Sequence, residues 1–399
     1  MITVSEADAL ISQQLPDWPA EWVPIDRAVG RVLRQRIAAD REQPPFDRVT
    51  MDGIALSHAA VAAGCRRYSI QSVQPAGSPP HKLESQAHCI EIMTGAVLPE
   101  GCDCVIPIEQ LQLDDGVAVL VDGATPELLQ FIHRRGSDYD HGQTLINPGT
   151  VLHTPEIAVL ASVGLEQVEV GAWPNVMVVS TGDELVEPGE QILPHQVRSA
   201  NGHAMVATLA ATGLGAVRYS SVRDDRLALR EMILEALDWA GVIILSGGVS
   251  RGKFDYLPEL FEELAVKKVF HRVWQRPGKP LWFGVAPGPK PVFALPGNPV
   301  SALVCFHRYV LPALQLAAGR SAVPAHRVRL GQEPRSGGEW TQFLPVRFDF
   351  NEAGTRHASL VELNTSGDFF GLSETAGFVE WPADGAERLP DGQVAFYPW

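Results

Sequence analysis

The sequence predicts a multidomain α/β protein built around a central, mostly parallel sheet, and three observations support that class. The chain has 399 residues, more than one hydrophobic core usually holds, so two to four domains are expected. Between residues 174 and 319, apolar strand-like runs alternate with amphipathic helical runs, which is typical of parallel strands joined by helical crossovers. Beyond Pro324 the hydrophobic period drops to two, which indicates a small β-barrel or open sheet.

The N-terminal part is predicted to hold two helices and a β-rich lobe. Ser5 is expected to cap a helix that reaches Leu15. A second helix is expected over residues 154–164, with Pro155 at its first helical position and a glycine at its end. Residues from about 46 to 130 form short, loop-rich strands that look like an inserted lobe.

The central and C-terminal regions are predicted element by element from their hydrophobic periods. Asp224 is expected to cap a helix on which Leu229 and Ile233 belong to an apolar stripe at i, i+3, i+4 spacing, so that one face packs on a sheet. The expected strands are 168–170, 176–179, 217–220, 242–245 and 292–295, a further helix covers 204–209, and the C-terminal strands are 327–330, 343–350, 359–363, 377–381 and 394–397.

Residues 242–252 are the strongest single indication of a ligand site. Four apolar residues, three of them β-branched, run directly into Ser246-Gly247-Gly248-Val249-Ser250-Arg251-Gly252. A continuous apolar run is typical of a strand buried on both faces, and a Gly/Ser loop beyond its carboxyl end lets backbone N–H groups approach a phosphate or carboxylate. The same residues also suit an ordinary tight turn, so this stretch alone leaves both interpretations open.

Two further segments are candidates for contact with an anion. Asn298, with Pro299 at the first helical position, is expected to cap an apolar helix that runs to about Leu316. A well-capped helix without a ligand fits the same residues. Lys279 lies in Pro277-Gly278-Lys279-Pro280, and a lysine held between prolines is costly for a plain surface turn, so a ligand contact is weighed equally with a structural role.

Charged residues also cluster at predicted turns. Arg134 and Arg135 stand beside Asp138, where a solvated ion pair is the ordinary alternative to a ligand contact. Carboxylates at loop tips next to an anion site are candidate Mg²⁺ ligands, because Mg²⁺ takes one or two carboxylates plus phosphate oxygens. Each of them is also an ordinary turn former or helix cap. The candidate carboxylates are Asp52, Asp183, Glu184 and Asp255.

Composition and missing motifs argue against several classes of protein. A formal net charge of −15 argues against a nucleic-acid partner, since phosphate backbones bind surfaces rich in Lys and Arg. No complete P-loop and no dinucleotide-binding motif occurs in the sequence. The five cysteines lack paired metal-ligand spacing and are expected to be reduced structural thiols. With no leader-like N-terminus and no 18-residue apolar stretch, we expect a cytoplasmic protein without membrane contact.

Seven collinear segments together resemble the molybdopterin molybdenumtransferase family, whose members insert molybdenum into adenylylated molybdopterin, and they are similar to the gephyrin E domain. The resemblance covers nearly the whole chain. In order, the segments are Pro45-Phe46-Asp47 with Thr50-Met51-Asp52-Gly53, Ile92-Met93-Thr94-Gly95-Ala96 with Pro99-Glu100-Gly101, Arg134-Arg135-Gly136 with Asp138, Ser180-Thr181-Gly182-Asp183-Glu184-Leu185, Ser246-Gly247-Gly248-Val249-Ser250 with Asp255-Tyr256, Pro277-Gly278-Lys279-Pro280, and Leu295-Pro296-Gly297-Asn298-Pro299-Val300-Ser301.

The resemblance implies an elongated homodimer of four-domain subunits. The implied domains are an N-terminal scaffold (1–45 and 131–172), an inserted β-rich lobe (46–130), an α/β domain similar to molybdopterin-adenylylating proteins (173–320) and a C-terminal β-barrel (324–399). In such a dimer the site lies between the α/β domain of one subunit and the inserted lobe of the other. A transient contact with the molybdopterin adenylyltransferase fits the same resemblance.

The resemblance also implies the chemistry and the residues that perform it. Molybdate and adenylylated molybdopterin would be the substrates, and Mg²⁺ would assist while the adenylate is hydrolysed off. The implied catalytic residues are Asp52, Asp138, Glu184, Asp255 and Lys279, and the metal ligands among them Asp52, Glu184 and Asp255. The implied residues for the pterin phosphate and the oxyanion are Thr94, Arg135, Ser246, Gly247, Gly248, Ser250, Arg251, Asn298, Ser301 and Ser366, with Lys279 and Ser301 on the molybdate side.

The chain departs from the common family pattern at five positions, two in the first loop and three in the C-terminal domain. Arg251 and Lys253 replace Val and Asp in the first loop, and Pro345 replaces an Arg in the C-terminal domain. Gly371 and Ala376 stand where the family has Ser and Asn. Arg347 or Arg251 is a candidate replacement for the missing cation. Pro345, Gly371 and Ala376 keep open the alternative of a pterin-binding scaffold without insertion activity. An insertion enzyme that prefers tungstate is a further alternative, because the sequence does not separate the use of tungstate from that of molybdate.

Overall fold

The computed structural model describes residues 1–213, 215–249, 256–321, 325–332, 334, 338–350, 354, 356–383 and 393–399. The candidate residues Ser250, Arg251, Lys253 and Asp255 therefore lie outside the described residues. The chain divides into two compact units. Unit 1 holds 1–35, 148–157 and 167–399, and unit 2 holds 36–147 and 158–166.

Short helices and strands follow one another along the described part of the chain. The helices are α1 (Val4–Gln14), α2 (His58–Ala62), α3 (Thr154–Ser162), α4 (Asn201–Ala211), α5 (Arg226–Trp239), α6 (Leu257–Glu263), α7 (Pro299–Cys305) and α8 (Leu311–Ala317), and a π-helical segment, Phe306–Val310, joins the last two. The strands are β1 (Ala20–Pro24), β2 (Ile37–Ala38), β3 (Arg48–Val49), β4 (Gly53–Leu56), β5 (Arg67–Gln74), β6 (His88–Ile92), β7 (Cys104–Pro107), β8 (Leu111–Asp114), β9 (Val117–Leu120), β10 (Ile132–His133), β11 (Thr144–Ile146), β12 (Gln167–Gly171), β13 (Val176–Thr181), β14 (Leu185–Val186), β15 (Val197–Arg198), β16 (Val217–Val222), β17 (Val242–Ser246), β18 (Lys267–His271), β19 (Gln275–Arg276), β20 (Trp282–Ala286), β21 (Lys290–Leu295), β22 (His326–Arg329), β23 (Thr341–Phe350), β24 (Arg356–Leu360), β25 (Gly377–Trp381) and β26 (Gln393–Pro398).

Unit 1 is built around a six-stranded sheet in the order β16-β13-β17-β21-β20-β18. The first four strands run parallel and the last two pair antiparallel, which confirms the predicted α/β class. Along β17 alternate residues enter opposite cores: Val242 and Ile244 join one cluster, and Ile243 and Leu245 join the other. This two-sided burial explains the continuous apolar run in the sequence.

Two predicted helix caps are wrong by one or two positions. Thr3, not Ser5, caps α1, because Thr3 and Glu6 form a capping box in which Glu6 N–H donates to Thr3 Oγ1 at 3.2 Å and Thr3 N–H donates to Glu6 Oε2 at 2.7 Å. Asp225, not Asp224, caps α5, and its carboxylate accepts two backbone N–H bonds of the first turn at 2.9 and 3.1 Å. Asp224 is thereby left outside the helix cap.

The C-terminal part of unit 1 forms a closed β structure. Its strands run β19-β23-β25-β26-β22, and β24 pairs with β23. Leu330, directly after β22, forms a parallel bridge with Ala358 on β24, and this bridge closes the sheet into a small barrel. The strand expected at 359–363 lies earlier, because β24 pairs with the far half of β23.

Unit 2 contains a six-stranded sheet in the order β7-β4-β6-β5-β9-β8. Its core includes Ile54, Tyr68 and the thiols of Cys89 and Cys104. Burial raises the pKa of Cys89 to about 12 and that of Cys104 to about 11, so both remain protonated at neutral pH. All five cysteines are free.

One expectation about apolar segments needs correction. The continuous helix Pro299–Ala317 is long and apolar enough to cross a membrane by length and composition, contrary to the expectation that the chain has no 18-residue apolar stretch. About two thirds of its most apolar window, 67%, is buried inside the protein. It therefore serves as a core helix of unit 1 in this fold.

Candidate active site

The carboxyl ends of three parallel strands meet at the first cavity of unit 1. Ser180 at the end of β13 lies in register with Ser246 at the end of β17, which lies in register with Leu295 at the end of β21. The cavity measures about 540 Å³. Open α/β sheets bind ligands at such an edge. The lining residues that matter below are Thr181, Glu184, Asn201, Asp224, Ser246, Gly247, Gly248 and Asn298.

Two glycines shape the floor of this cavity. Gly247 has φ +105°, and a side chain there would place its Cβ 2.5 Å from the carbonyl oxygen of Thr181. Gly248 has φ +68°, and its Cβ would lie 2.6 Å from Leu257 Cδ1. The backbone conformation therefore favours glycine at both positions, and at Gly247 the contact with backbone also excludes a side chain. The tight approach of loop and strand leaves the space above the loop for a ligand.

Asn201, at the start of α4, was not predicted as a site residue from the sequence, but its side chain connects two loops that line the cavity. Its Nδ2 donates to Ser246 Oγ at 2.9 Å and to the carbonyl oxygen of Gly297 at 2.8 Å. Among the described residues, its Oδ1 and the Oγ1 of Thr181 are buried and have no hydrogen-bond partner. Buried polar atoms are normally paired, so these two oxygens indicate where a ligand would complete the network.

Two carboxylates line the same cavity. Glu184 was predicted, whereas Asp224 was interpreted as a helix cap and instead follows the end of β16, beside β13 in the sheet. The sequence does indicate a site role for Asp224, because this residue stands shortly after a predicted strand of the parallel sheet. Across the described residues, no group of three or more His, Cys, Asp or Glu side chains is placed to hold a metal ion.

A second cavity of about 850 Å³ adjoins the first and contains Lys279. The two cavities share the lining residues Pro280, Pro296 and Asn298. Lys279 is exposed, and its Nζ lies 4.6 Å from the centroid of the Trp340 ring. In the described part of the lining, the cationic side chains are those of Lys279 and Arg276.

Asn298 holds the helix start to the C-terminal barrel instead of capping the helix. It occupies the predicted N-cap position of α7, but its side chain makes no capping bond. Its Nδ2 donates to Ser366 Oγ at 2.9 Å, and Val300 N–H donates to the Ser366 carbonyl at 3.1 Å. Ser301 is buried in the lining of the second cavity. The expectation of a side-chain cap is therefore wrong, and the Asn298 amide is oriented by its bond to Ser366 instead.

Pro345 stands where the resemblance implies an arginine, and it lines the second cavity. Arg347, two residues further along β23, donates to the Asp349 carboxylate at 3.2 Å and does not contribute to the described lining. Alternate residues of a strand face the same side, but Arg347 is exposed and paired on its own strand. It therefore supplies no cation to this cavity in the structure.

The remaining predicted residues lie in unit 2. Asp52 accepts hydrogen bonds from Thr94 N–H at 2.6 Å and Thr94 Oγ1 at 2.8 Å, and these bonds, the backbone one first, lower the pKa of the carboxylate. Asp138 accepts from His133 Nε2 at 2.8 Å. Arg135 pairs with Glu42 and not with Asp138, the neighbouring carboxylate of the expected loop ion pair. The structure thus joins Asp52 to Thr94 and occupies Arg135 with a carboxylate.

Comparison with known proteins identifies relatives over the whole length. Residues 2–164 match the family model described as MoeA N-terminal region (domain I and II), and residues 177–316 match the one described as Probable molybdopterin binding domain. The chain is 35% identical to a molybdopterin molybdenumtransferase of Synechocystis over 100% of both chains. It is 32% identical to one of Nostoc, covering 91% of this chain and 85% of the relative. A solved structure of a molybdopterin biosynthesis moea protein from Pyrococcus horikosii is 31% identical with a TM-score of 0.75, over 100% of this chain and 99% of the other.

Proposed function

The chain belongs to the molybdopterin molybdenumtransferase family, and on that premise we propose that it inserts molybdenum from molybdate into adenylylated molybdopterin and releases AMP. The arrangement of the two cavities supports the proposal at the level of individual residues. The two cavities of unit 1 adjoin through Pro280, Pro296 and Asn298, so the Gly/Ser loop after β17 and an exposed lysine line neighbouring spaces. That arrangement suits a reaction that joins a phosphorylated organic ligand to an inorganic oxyanion.

The first cavity holds the pterin phosphate in this proposal. Ser246, Gly247 and Gly248 form its floor, and Asn201 fixes the Ser246 hydroxyl from above. The unpaired oxygens of Thr181 and Asn201 accept hydrogen bonds from ligand N–H or O–H groups, and the Thr181 hydroxyl can also donate one. These contacts orient the pterin before any bond changes.

The second cavity holds molybdate in this proposal. The Lys279 ammonium and the Arg276 guanidinium attract the dianion, and Ser301 supplies a hydroxyl in the lining. Stacking against Trp340 keeps the Lys279 ammonium at the cavity without neutralising its charge, as a carboxylate would. The two pterin thiols then bind molybdenum in place of one molybdate oxygen, which leaves as water with both thiol protons. A water molecule attacks the adenylate phosphorus, the bond from that phosphorus to the pterin phosphate breaks, and AMP leaves.

Magnesium belongs to the proposal as an assisting ion. Glu184 and Asp224 line one cavity, and two carboxylates suffice for Mg²⁺ when substrate phosphates supply the other oxygens. The donor set thus fits a substrate-bridged ion, and Mg²⁺ would offset phosphate charge there. Asp255 remains a proposed ligand outside the described residues, and Asp52 a proposed one in unit 2.

We also propose that the protein acts in the cytoplasm as a homodimer with a transient contact to the adenylyltransferase that acts before it. Asp52, Thr94, Arg135 and Asp138 of one subunit would then serve the cavities of the other. Sedimentation of the purified chain tests the dimer. A mixture of Asp52→Asn and Lys279→Ala subunits would regain activity only if one site draws residues from both chains, and no gain over the single variants would contradict a shared site.

The experiment that tests the proposed function is cofactor formation by the purified chain. Adenylylated molybdopterin, molybdate and Mg²⁺ are supplied, and AMP release and activation of a cofactor-free molybdoenzyme are measured. We expect AMP release that depends on molybdate.

Pro345 in the lining favours one alternative, a pterin-binding scaffold, which would bind the pterin and release no AMP. Replacing molybdate by tungstate, alone and in competition, measures the preferred oxyanion.

A further inference from the structure

The loop that carries Lys279 rests on a buried polar cluster of Gln275, Cys305 and Tyr309. Gln275 and Cys305 are fully buried and Tyr309 is 2% exposed, within a core otherwise made of aliphatic and aromatic side chains. The Tyr309 hydroxyl donates to Gln275 Oε1, and Gln275 Nε2 donates to Cys305 Sγ at 3.4 Å. Polar groups are costly in such a core unless they are paired, and here both functional atoms of the amide are used.

The cluster touches the loop directly. Cys305 Sγ donates to the carbonyl oxygen of Gly278 at 3.7 Å, and Gly278 immediately precedes Lys279. A Cβ at Gly278 would lie 2.5 Å from both Cys305 Sγ and Gln275 Nε2. The loop backbone therefore lies on the cluster without intervening side chains. Since Gln275 is itself in β19, at the start of the loop, the cluster fixes the loop at two points.

Two carboxylates hold Arg308, the residue that precedes Tyr309, in a fixed position. Arg308, the neighbour of Tyr309, donates two 2.8 Å hydrogen bonds to Asp8 and one of 3.0 Å to Glu380. Its guanidinium lies 5.0 Å from the ring centroids of both Tyr309 and Tyr397. These contacts join the π-helical segment to α1 and β25, so Tyr309 has little freedom to move.

We infer that Gln275 and Tyr309 are positioning residues that set the place of the Lys279 ammonium in the molybdate cavity. The inference rests on the proposed function, because it takes Lys279 as the contact for the oxyanion. Gln275 borders the second cavity beside Lys279, and neither Gln275 nor Tyr309 lines the pterin cavity. Loss of the Tyr309–Gln275 hydrogen bond would therefore change the molybdate step and leave the affinity for the pterin unchanged.

The chain offers a matched control for this inference. Tyr397 lies on the other side of Arg308 at the same 5.0 Å, and its hydroxyl donates to Glu380 at 2.9 Å. Tyr309→Phe and Tyr397→Phe each remove one hydroxyl that donates a hydrogen bond beside the same guanidinium. Only the first hydroxyl is linked to the loop. A merely structural role would give the two variants similar thermal stability and similar kinetics.

The experiment measures KM for molybdate, kcat, the affinity for adenylylated molybdopterin and the temperature of unfolding. Tyr309→Phe is expected to raise KM for molybdate about fivefold, the usual effect of one lost hydrogen bond, with pterin affinity unchanged and with Tyr397→Phe at the wild-type value. Gln275→Met, which keeps the length of the side chain without its amide, should give at least the same change. Equal kinetics for Tyr309→Phe and Tyr397→Phe, or a parallel loss of pterin affinity, would overturn the inference.

Lys279→Ala separates this inference from the proposed function. If Lys279→Ala abolishes the use of molybdate while Gln275→Met and Tyr309→Phe behave as wild type, the site assignment stands and the positioning role fails. If Lys279→Ala itself keeps wild-type molybdate kinetics, the assignment of the oxyanion cavity fails first, and the positioning role falls with it.

Discussion

Asn201 Nδ2 lies 2.9 Å from Ser246 Oγ, and this hydrogen bond joins the first turn of α4 to the end of the central strand β17. The same nitrogen donates to the Gly297 carbonyl, so one amide ties two loops of the sheet edge. The relationship matters because it orients the hydroxyl at the floor of the first cavity. It also leaves Asn201 Oδ1 buried and unpaired among the described residues, ready for a ligand donor.

Removing this amide should weaken pterin binding. Asn201→Ala loses two hydrogen bonds to the loops and the acceptor for the ligand, each worth about 1 kcal/mol, so the Kd for adenylylated molybdopterin should rise at least about tenfold. Asn175→Ala is the matched control, since its side chain bonds to Trp239 O at 3.3 Å at the other end of the sheet. Equal pterin affinity in the two variants would contradict the role of Asn201.

A methyl group added at Gly247, on the cavity floor, should also weaken pterin binding, because it would clash with the backbone. Gly247→Ala combines a positive φ with a 2.5 Å approach to Thr181 O, so the loop must move and pterin affinity should fall at least about tenfold. Gly189→Ala has a comparable φ of +92° but meets nothing within 4 Å. It should cost some stability and no affinity. If both variants bind the pterin alike, the loop does not form the phosphate site.

The hydrogen bonds on Asp52 predict a shift in its titration. Thr94→Val removes the hydroxyl bond and keeps the larger backbone one, so the pKa of Asp52 should rise and still lie below its ordinary value of 3.8. An NMR titration of carboxyl-labelled protein measures it. Thr50→Val is the control in the same lobe, because the Thr50 hydroxyl donates to Phe131 O. An unchanged pKa in Thr94→Val would show that the hydroxyl bond is not formed in solution.

A buried histidine predicts how stability depends on pH. Burial lowers the pKa of His307 from 6.5 to about 4, so between these values the unfolded chain binds a proton that the folded chain does not. The free energy of unfolding of unit 1 should therefore fall as the pH falls from 6.5 towards 4, by about 1–2 kcal/mol down to pH 5 from this residue. Thermal melts of wild type and His307→Phe at pH 7 and pH 5 measure it. The variant should lose less stability than wild type, and equal losses would contradict the assignment.

Periodicity predicted the central sheet well because its strands are buried on both faces. The runs at 176–179 and 242–245 had no competing interpretation once flanked by helical patterns. Helix caps were less certain, because Ser5 and Thr3 differ only in what lies three residues later: Thr3 has Glu6, which completes the capping box. The capping box of α1 was therefore readable from the local sequence, whereas no neighbouring residue distinguishes the adjacent Asp224 and Asp225 as the cap of α5.

The site was predicted where loops follow strands and missed where residues meet only in three dimensions. Ser246 and Lys279 stand in recognisable loops, whereas the link from Asn201 to Ser246 spans 45 positions along the chain. Asp224 looked like a cap because Asp225 shares its chemistry. The cluster of Gln275 and Tyr309 could not be predicted from the sequence. A buried amide is identified by the side chains it bonds to in the fold, and these are distant from it along the chain.

The central claim is that adjoining cavities divide the two substrates, with Asn201 serving the pterin and Lys279 serving the oxyanion. Equilibrium binding of adenylylated molybdopterin and of molybdate to Asn201→Ala and Lys279→Ala tests it most directly. We predict a crossed pattern, in which Asn201→Ala loses pterin affinity and keeps molybdate binding, while Lys279→Ala keeps the pterin and loses molybdate. Parallel losses of both ligands in both variants, or no loss in either, would contradict the account.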